Sequence, residues 1–246
     1  MNNHNEFIFK PITDVLKDVV SASAGIGNGI ETYPLFDYIM QSVFLRMTGF
    51  QEQKMKCISW ELATNDYVYR RVLLNNEDKL GECSSYNDKN NVYKRLVEQI
   101  CNFDSSFRVN GIEKREIRRN TTSNVKSIFH NTNLQIWGQK KFKEFEDIWS
   151  IVSSSHFATE NTSIFAEVNN SISLKHIYVN HLYRDRNRVA HNTHSYQQNL
   201  PTLKTLSNDN YKFENYFLWF AILILIDEVF IELYKKYLTL LQESIR

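Results

Sequence analysis

The chain has 246 residues, with 29 Lys and Arg against 28 Asp and Glu, and a formal net charge of +1. Its seven glycines and three prolines are too few for a collagen-like, Pro-rich or Gly/Ser-linker protein, or for a turn-dense β-sandwich. With 42% hydrophobic and 13% aromatic residues the chain is predicted to fold and to be mainly helical, and its balanced charge excludes a global field for nucleic acid or anionic membranes.

The cysteines and the N-terminus favour a reducing compartment. Cys57, Cys83 and Cys101 lack any Cys-x-x-Cys or Cys/His spacing, so neither a disulfide framework nor a metal site is predicted. The first ten residues contain neither a basic n-region nor a long apolar h-region, so no signal peptide is indicated. We therefore expect a cytoplasmic protein that uses no metal or other cofactor.

The N-terminal part of the chain differs in composition from the rest. Residues 1–33 end in the small, turn-prone run SASAGIGNGIET, and Pro34 then opens a periodic segment. We predict an N-terminal extension and flexible junction over residues 1–33 and a helical domain over residues 34–246. Gly25, Gly27 and Gly29 follow no apolar strand and precede no helix start at a fixed offset, so they indicate a loop rather than a phosphate cradle.

Helical periodicity begins at Pro34. Apolar residues recur at spacings of three and four up to Ala63, on both sides of Gly49, which predicts two helices or one kinked helix. Several charged residues of this stretch are expected to be solvated on its outer face rather than to form a carboxylate site. They are Glu52, Lys54, Glu61 and Asp66.

The middle of the chain gives weaker signals. A polar excursion is predicted over residues 75–90, followed by helices at Val92 to Phe103 and Leu134 to Val152, and no alternation persists long enough to predict a sheet. Between those helices lies a locally basic segment that suits either a solvated helix or a phosphate-facing surface. Its cations are Lys114, Arg115, Arg118, Arg119 and Lys126.

The last helix is the clearest element. It is predicted from Tyr211 to about Ser244 and contains the run YFLWFAILILI, which is apolar on every side. Asp227 follows this run directly, so the apolar stretch is much shorter than the roughly 20 residues that a bilayer span requires. We predict a buried core helix and no membrane partner.

Residues 181–201 hold the densest cationic cluster of the chain. Arg184, Arg186 and Arg188 fall near the end of a helix predicted over Leu174 to Arg188, and three of the seven histidines follow or precede them closely. A guanidinium holds a phosphate bidentately without losing its charge, and an imidazole transfers protons near neutral pH. Together these residue types can form a phosphodiester site without a metal.

The segment Arg186-Asn187-Arg188-Val189-Ala190-His191 resembles the signature of the HEPN superfamily of helical ribonucleases and toxins. That signature is an Arg, usually followed by a polar residue, with His after four to six intervening residues. Outside the motif, the similarity is one of helix pattern over about residues 34–245. The resemblance implies an all-α helical bundle of HEPN type with a long C-terminal core helix.

Three Arg–His pairs satisfy this spacing, namely Arg184 with His191, Arg186 with His191, and Arg188 with His194. The polar residue Asn187 after Arg186 favours the second pair. We therefore predict Arg186, Asn187 and His191 as catalytic residues. Arg184, Arg188 and His194 are predicted to contact the substrate.

The resemblance implies a homodimer in which two motifs form a composite cleft that cuts RNA without metal. His191 would act as general base or acid at the ribose 2′-hydroxyl and the leaving oxygen, and Arg186 would neutralise the phosphorane. Asn187 would orient a phosphate oxygen or the motif itself. The family context is that of toxins and antiviral defence by abortive infection, with an antitoxin or sensor protein as possible partner.

A further pattern involves Tyr196. Arg188, His194 and Tyr196 resemble a family variant that ends in His-x-Tyr, in which the Tyr is modified by a nucleotidyl group from a partner antitoxin. The alternative is that Tyr196 packs in the bundle.

Two other functions remain open from sequence. The chain could be a non-catalytic member of the same fold that serves as a binding or regulatory subunit of a defence or toxin–antitoxin assembly. It could also be a helical nucleic-acid binder that uses residues 114–126 and 184–188. If Arg186 and His191 both point into one dimer cleft, the enzyme hypothesis gains; if they lie apart or are buried in salt bridges, the binding hypothesis gains.

Overall fold

The computed structural model describes residues 3–27, 29–75, 83–166, 172–190 and 209–245, and these are almost entirely helical. The α-helices are α1 (Asn3–Phe9), α2 (Thr13–Ser23), α3 (Pro34–Asn65), α4 (Tyr67–Leu74), α5 (Tyr86–Phe103), α6 (Lys114–Phe129), α7 (Asn133–Trp137), α8 (Gln139–Ile151), α9 (Leu174–Ile177), α10 (Tyr183–Ala190) and α11 (Tyr216–Ile245). A hairpin of β1 (Phe157–Glu160) and β2 (Ser163–Phe165), which the sequence did not predict, lies between α8 and α9. The predicted all-α helical bundle with a long C-terminal core helix is confirmed.

Helix α11 forms the centre of the bundle. Every residue from Phe217 to Asp227 is buried, and α3, α5, α6 and α8 pack around this stretch. Full burial of one large aliphatic or aromatic side chain contributes about 1.5–3 kcal/mol, so this run is a major part of the hydrophobic stabilisation. Among the described helices, α11 included, none combines the length and the apolar character that a bilayer span requires.

Helix α3 is one continuous α-helix, which decides between the two predicted forms of this stretch. Pro34 occupies its first turn, and Gly49 is exposed with no side chain packed on it. The helix ends before Asp66, whose extended backbone allows its carboxylate to accept from the amides of Val68 at 2.8 Å and Tyr69 at 3.0 Å. Asp66, expected to be a solvated charge, is therefore the N-cap of α4.

Helix α5 begins earlier than the polar composition of residues 75–90 predicted. Ser85 and Asp88 form a capping box, in which each side chain accepts from the other residue's backbone amide. These two bonds satisfy amides that the first turn would otherwise leave unpaired, so the helix starts at Tyr86.

The helix predicted from Leu134 to Val152 is divided at Gly138. A Cβ atom at position 138 would lie 2.8 Å from Cζ of Phe36 and 2.9 Å from Cε2 of Phe217. Only glycine therefore allows both rings to approach the backbone where α7 ends and α8 begins.

The N-terminal segment, expected to be an extension, forms two helices that pack on α3. Ile8, Ile12, Leu16 and Val20 are buried in the same hydrophobic core as α11. The amide of Ile12 also donates to Oδ2 of Asp227 at 2.9 Å. Residues 3–23 thus belong to the core of the bundle.

Candidate functional site

The segment that carries the motif is a continuous helical run, as predicted for residues 174–188, but it contains a wider turn. Ser173 caps α9 by accepting from the amide of His176 at 3.2 Å. A π-helical turn over Tyr178–Leu182 then leads into α10 and buries His181. Such π-turns are rare in proteins as a whole, but those that occur are often found at functional sites. The extra residue changes the direction in which side chains project.

The three arginines of α10 lie on two faces of the helix. Arg184 and Arg188 are one turn apart on the face that meets Glu214, whereas Arg186 contacts Glu52 of α3. Asp185 is buried, and its Oδ2 lies 3.5 Å from the hydroxyl of Tyr216 on α11. The structure therefore groups Arg184 with Arg188 and separates Arg186 from them.

Arg186 is held by two acceptors. Its Nη2 lies 3.3 Å from Oε2 of Glu52, and its Nη1 donates to Oδ1 of Asn187 at 3.0 Å. The Arg186 side chain is 22% exposed and that of Glu52 is 18% exposed. Among the described residues, these two contacts engage two of the five N–H donors of the guanidinium and orient the group. The Asn187 side chain thus contacts the guanidinium of its neighbour, and the role predicted for Asn187 stays a prediction.

Two buried polar side chains, Lys89 and Tyr178, lie near Arg186 and Glu52. Nζ of the buried Lys89 donates to the carbonyl of Cys83 at 2.8 Å, and the hydroxyl of Tyr178 donates to the carbonyl of Ser84 at 3.1 Å. Burial lowers the pKa of Lys89 to about 8, although the negative charge of Glu52 opposes this effect. Burial also raises the pKa of Tyr178. The charge of Arg186 is thus adjacent to groups that favour their neutral forms.

Glu214 is the centre of the second cluster. Its Oε1 bonds to Nδ1 of His181 at 2.8 Å and also to Nη2 of Arg184. Burial raises the pKa of the Glu214 carboxyl, but the bond from His181 and the charges of Arg184 and Arg188 outweigh this effect, and the pKa is lowered. Arg184 remains 55% exposed at its side chain, so this cluster reaches the surface.

The remaining predicted site residues are the two histidines and the tyrosine that follow α10 in sequence. His191, His194 and Tyr196 lie outside the described residues. In sequence, His191 directly follows Ala190, the last residue of α10. The choice among the three Arg–His pairs therefore stays a prediction.

Sequence reasoning missed both carboxylates that hold the arginines. Glu52 was expected to be solvated, yet it is mostly buried against Arg186, which lies 134 positions away in sequence. The same expectation is wrong for Lys54, which is fully buried, and for Glu61, which is 6% exposed. The only available signal was the position of these charges between core residues of α3, since a fully solvated face would not interleave with the apolar stripe.

The basic segment of α6 is partly neutralised by neighbouring groups. Glu116 lies 3.2 Å from Nη2 of Arg119, and Glu146 lies 2.7 Å from Nζ of Lys126. Because these carboxylates share the surface with the cations, the segment offers a weaker field to a polyanion than its cation count indicates. This arrangement disfavours the simple nucleic-acid binder.

The described parts of the chain offer neither an activated cysteine nor a metal-binding cluster. Burial raises the pKa values of Cys57, Cys83 and Cys101, so their thiols are held in the neutral, unreactive form. Across the ranges that the structure describes, no group of three or more His, Cys, Asp and Glu side chains is arranged to hold a metal ion.

No family model matches this chain. No curated protein and no solved structure matches it significantly either. The features that indicate a function are therefore the side chains of α10 with their partners, and the resemblance of residues 186–191 to the HEPN motif.

Proposed function

We propose that this chain is a metal-independent endoribonuclease of the HEPN type, with Arg186, Asn187 and His191 as its catalytic residues. What supports this most is the motif resemblance of residues 186–191, together with an Arg186 side chain that is oriented but still 22% exposed. By the criterion given from sequence, the pairing of Arg186 with Glu52 is the feature that favours the binding hypothesis. The guanidinium of Arg186 is oriented by Glu52 and Asn187 in the middle of α10, and the motif histidine directly follows that helix in sequence. A cation fixed before substrate arrives stabilises developing charge without reorganisation, which is the most effective form of electrostatic catalysis.

The reaction follows from the chemistry of these groups. A base, His191, takes the proton of the ribose 2′-hydroxyl, and the 2′-oxygen attacks the phosphorus. The bond from phosphorus to the 5′-oxygen breaks, and the leaving oxygen takes its proton from a protonated His191. The products carry a 2′,3′-cyclic phosphate and a 5′-hydroxyl. Arg186 donates to the non-bridging oxygens, where negative charge increases in the phosphorane.

The proposal extends to the substrate and the assembly. Arg184, Arg188 and His194 bind flanking phosphates of RNA, and two copies of the chain form a composite cleft around a twofold axis. The protein would act in the cytoplasm as a toxin or antiviral defence effector controlled by an antitoxin or sensor, with Tyr196 as a site of nucleotidyl modification. The support here is the exposure of Arg184 and the motif resemblance.

The test is an incubation of purified protein with total RNA and tRNA in EDTA, followed by mapping of fragment ends. Arg186→Ala and His191→Ala are expected to lower cleavage by about 10²–10⁴-fold, the typical contribution of a proton-transfer group. Arg184→Ala and Arg188→Ala should weaken RNA binding and its salt dependence more than the cleavage step. If Arg184→Ala is instead as damaging as His191→Ala while Arg186→Ala is active, the Arg184–His191 pair is the catalytic one.

A second candidate function is favoured by one observation. Both Arg184 and Arg186 are paired with carboxylates of their own chain, Glu214 and Glu52. Salt bridges of this kind also suit a bundle that retains the fold as a non-catalytic binding or regulatory subunit. This function predicts that a folded dimer leaves RNA intact, with no cyclic phosphate ends in any lane.

A further inference from the structure

A cluster of exposed apolar side chains lies over the last turns of α3 and over α4. Among the described residues, five of the twelve exposed large hydrophobic side chains belong to residues 60–74. They are Trp60, Tyr67, Val68, Val72 and Leu74, each between 39% and 73% exposed, and we call them the α4 patch. Single exposed hydrophobic residues are ordinary, whereas a contiguous group marks an interaction surface.

The bonds of Arg70 hold these side chains on one surface. Its Nε donates to the carbonyl of Ala63 at 2.7 Å, and its Nη2 donates to the carbonyl of Thr64 at 2.8 Å. Because Thr64 lies one turn after Trp60, these bonds keep α4 beside the last turns of α3. Tyr69 is buried against α3, so α4 covers α3 with one side and leaves its other side to solvent.

The composition of the α4 patch suits a protein partner. Trp, Tyr and Arg are enriched at the centres of protein interfaces, and acidic residues are depleted there. Arg71 is exposed beside the apolar side chains of the patch, whereas the two acids of residues 60–74 have other partners. Glu61 is buried and pairs with His4, and Asp66 caps α4 and accepts from Gln99 at 2.6 Å.

The size and charge of this surface fit a second copy of the chain. The five side chains expose an area on the order of 500 Å², and a stable interface buries about 800 Å² on each partner, so the patch and a polar rim suffice. Arg71 lies at this rim, and the charges of Arg95 and Glu98 on α5 act on Tyr69 of α4. A surface that pairs with itself needs both signs of charge, because each cation must meet an anion of the other copy.

The α4 patch also lies next to the proposed site. Glu52, Lys56 and Trp60 follow one another at spacings of four, so they lie along one side of α3. Nζ of Lys56 bonds to Oε1 of Glu52 at 3.0 Å, and Glu52 holds Arg186. Trp60 is about 12 Å from Glu52 along the helix axis, since the rise is about 1.5 Å per residue. Two copies that pair through the patch would therefore place their Arg186 side chains beside the same interface.

We infer, on the basis of the twofold assembly in the proposed function, that the α4 patch is the surface through which two copies of this chain form their dimer. Trp60, Tyr67 and Val68 lie at the centre of the interface, where aromatic side chains contribute most to affinity. Arg71 and Glu98 belong to its polar rim.

The experiment measures self-association of the full chain by sedimentation velocity over a range of protein concentrations, without RNA. Tyr67→Ala is expected to raise the dissociation constant of the dimer by about 30-fold or more, as truncation of a central aromatic residue does. Tyr38→Ala is the matched control, because Tyr38 is also 73% exposed but lies in the first turns of α3. Its dissociation constant should equal that of the wild type.

A second variant keeps the inference testable if Tyr67→Ala does not fold. Val68→Asp places an acid at an exposed position in the first turn of α4, where the helix dipole favours negative charge, so the fold should be retained. In the dimer this charge would enter an apolar interface on both copies. We therefore expect Val68→Asp to be monomeric at concentrations at which the wild type is a dimer.

Several results would overturn the inference. A wild type that stays monomeric at every concentration would do so, as would a dimer that Tyr67→Ala and Val68→Asp leave intact. A monomeric wild type that binds phosphatidylglycerol vesicles or single-stranded RNA through Tyr67 would assign the patch to a different partner. A folded dimer that depends on Tyr67 but leaves RNA intact would instead support this inference and defeat the proposed function.

Discussion

Two ion pairs start from neighbouring positions of α3 and differ in almost every physical property. Lys54 pairs with Asp227 at 2.6 Å, with side chains 0% and 2% exposed. Glu52 pairs with Arg186 at 3.3 Å, with side chains 18% and 22% exposed. The first pair connects buried elements of the fold, whereas the second, in the middle of α10, is partly exposed.

The contacts around each pair explain this difference. Nζ of Lys54 also donates to the carbonyl of Lys10 at 2.7 Å, and Oδ2 of Asp227 accepts from the amide of Ile12, so the pair fastens the N-terminal helices to α11. Burial lowers the pKa of Lys54 and raises that of Asp227, and the attraction between the two charges opposes both shifts. The buried pair of Lys54 and Asp227, the closed pair, therefore stabilises the fold. The partly exposed pair of Glu52 and Arg186, the open pair, can also be reached by a ligand.

The largest expected effect comes from breaking the closed pair. Lys54→Met leaves the carboxylate of Asp227 buried without its cation, which should lower the free energy of unfolding by about 3–5 kcal/mol in urea denaturation. Adding Asp227→Leu should recover much of this loss, because both charges are then gone. A loss below about 1 kcal/mol for Lys54→Met would contradict the interpretation.

Lys89 is a third case beside these two pairs, because it is a buried lysine that forms no ion pair within the described residues. Its pKa is about 8 in the fold and 10.5 ordinarily, so between these pH values the unfolded chain binds a proton that the folded chain does not. Stability should therefore rise with pH through this window, by up to about 3 kcal/mol at 1.36 kcal/mol per pK unit, relative to Lys89→Met. The measurement is urea denaturation of both proteins at a series of pH values from about 7.5 to about 10, which covers most of this window. A pH-independent difference would mean that Lys89 is not held neutral by burial.

The smallest expected stability effect belongs to the open pair. Glu52→Gln should change the free energy of unfolding by less than about 1 kcal/mol, because partly exposed pairs contribute little. It should nevertheless lower RNA cleavage by about 10- to 100-fold, since a misplaced Arg186 loses contact with the phosphorane. Glu116→Gln, which breaks the exposed pair with Arg119, is the matched control and should alter neither quantity. A large stability loss with unchanged cleavage would reverse the roles of the two pairs.

Much of the fold could be predicted because it depends on local pattern. The apolar run from Tyr216 to Ile226 has no polar face, so it had to be the core helix, and the periodicity from Pro34 to Ala63 required a helix. The division at Gly138 could not be predicted, because it depends on the rings of Phe36 and Phe217 that meet only in the folded bundle.

The candidate site was predictable only in part, for a similar reason. Arg184, Arg186 and Arg188 are visible in one short segment, but their partners come from distant elements, Glu52 from α3 and Glu214 from the residues before α11. Spacing along the chain carries no information about such pairs. Asp227 illustrates the same limit, since it was interpreted as the end of an apolar run and is the buried partner of Lys54.

The most direct test of the central claim is a comparison of cleavage rates for wild-type protein, Arg186→Ala and His191→Ala on the same RNA in EDTA. We predict fragments with 2′,3′-cyclic phosphate ends from the wild type and a loss of about 10²–10⁴-fold in each variant. Intact RNA with folded wild-type protein, or equal cleavage by all three proteins, would contradict the assignment of this site as a ribonuclease centre.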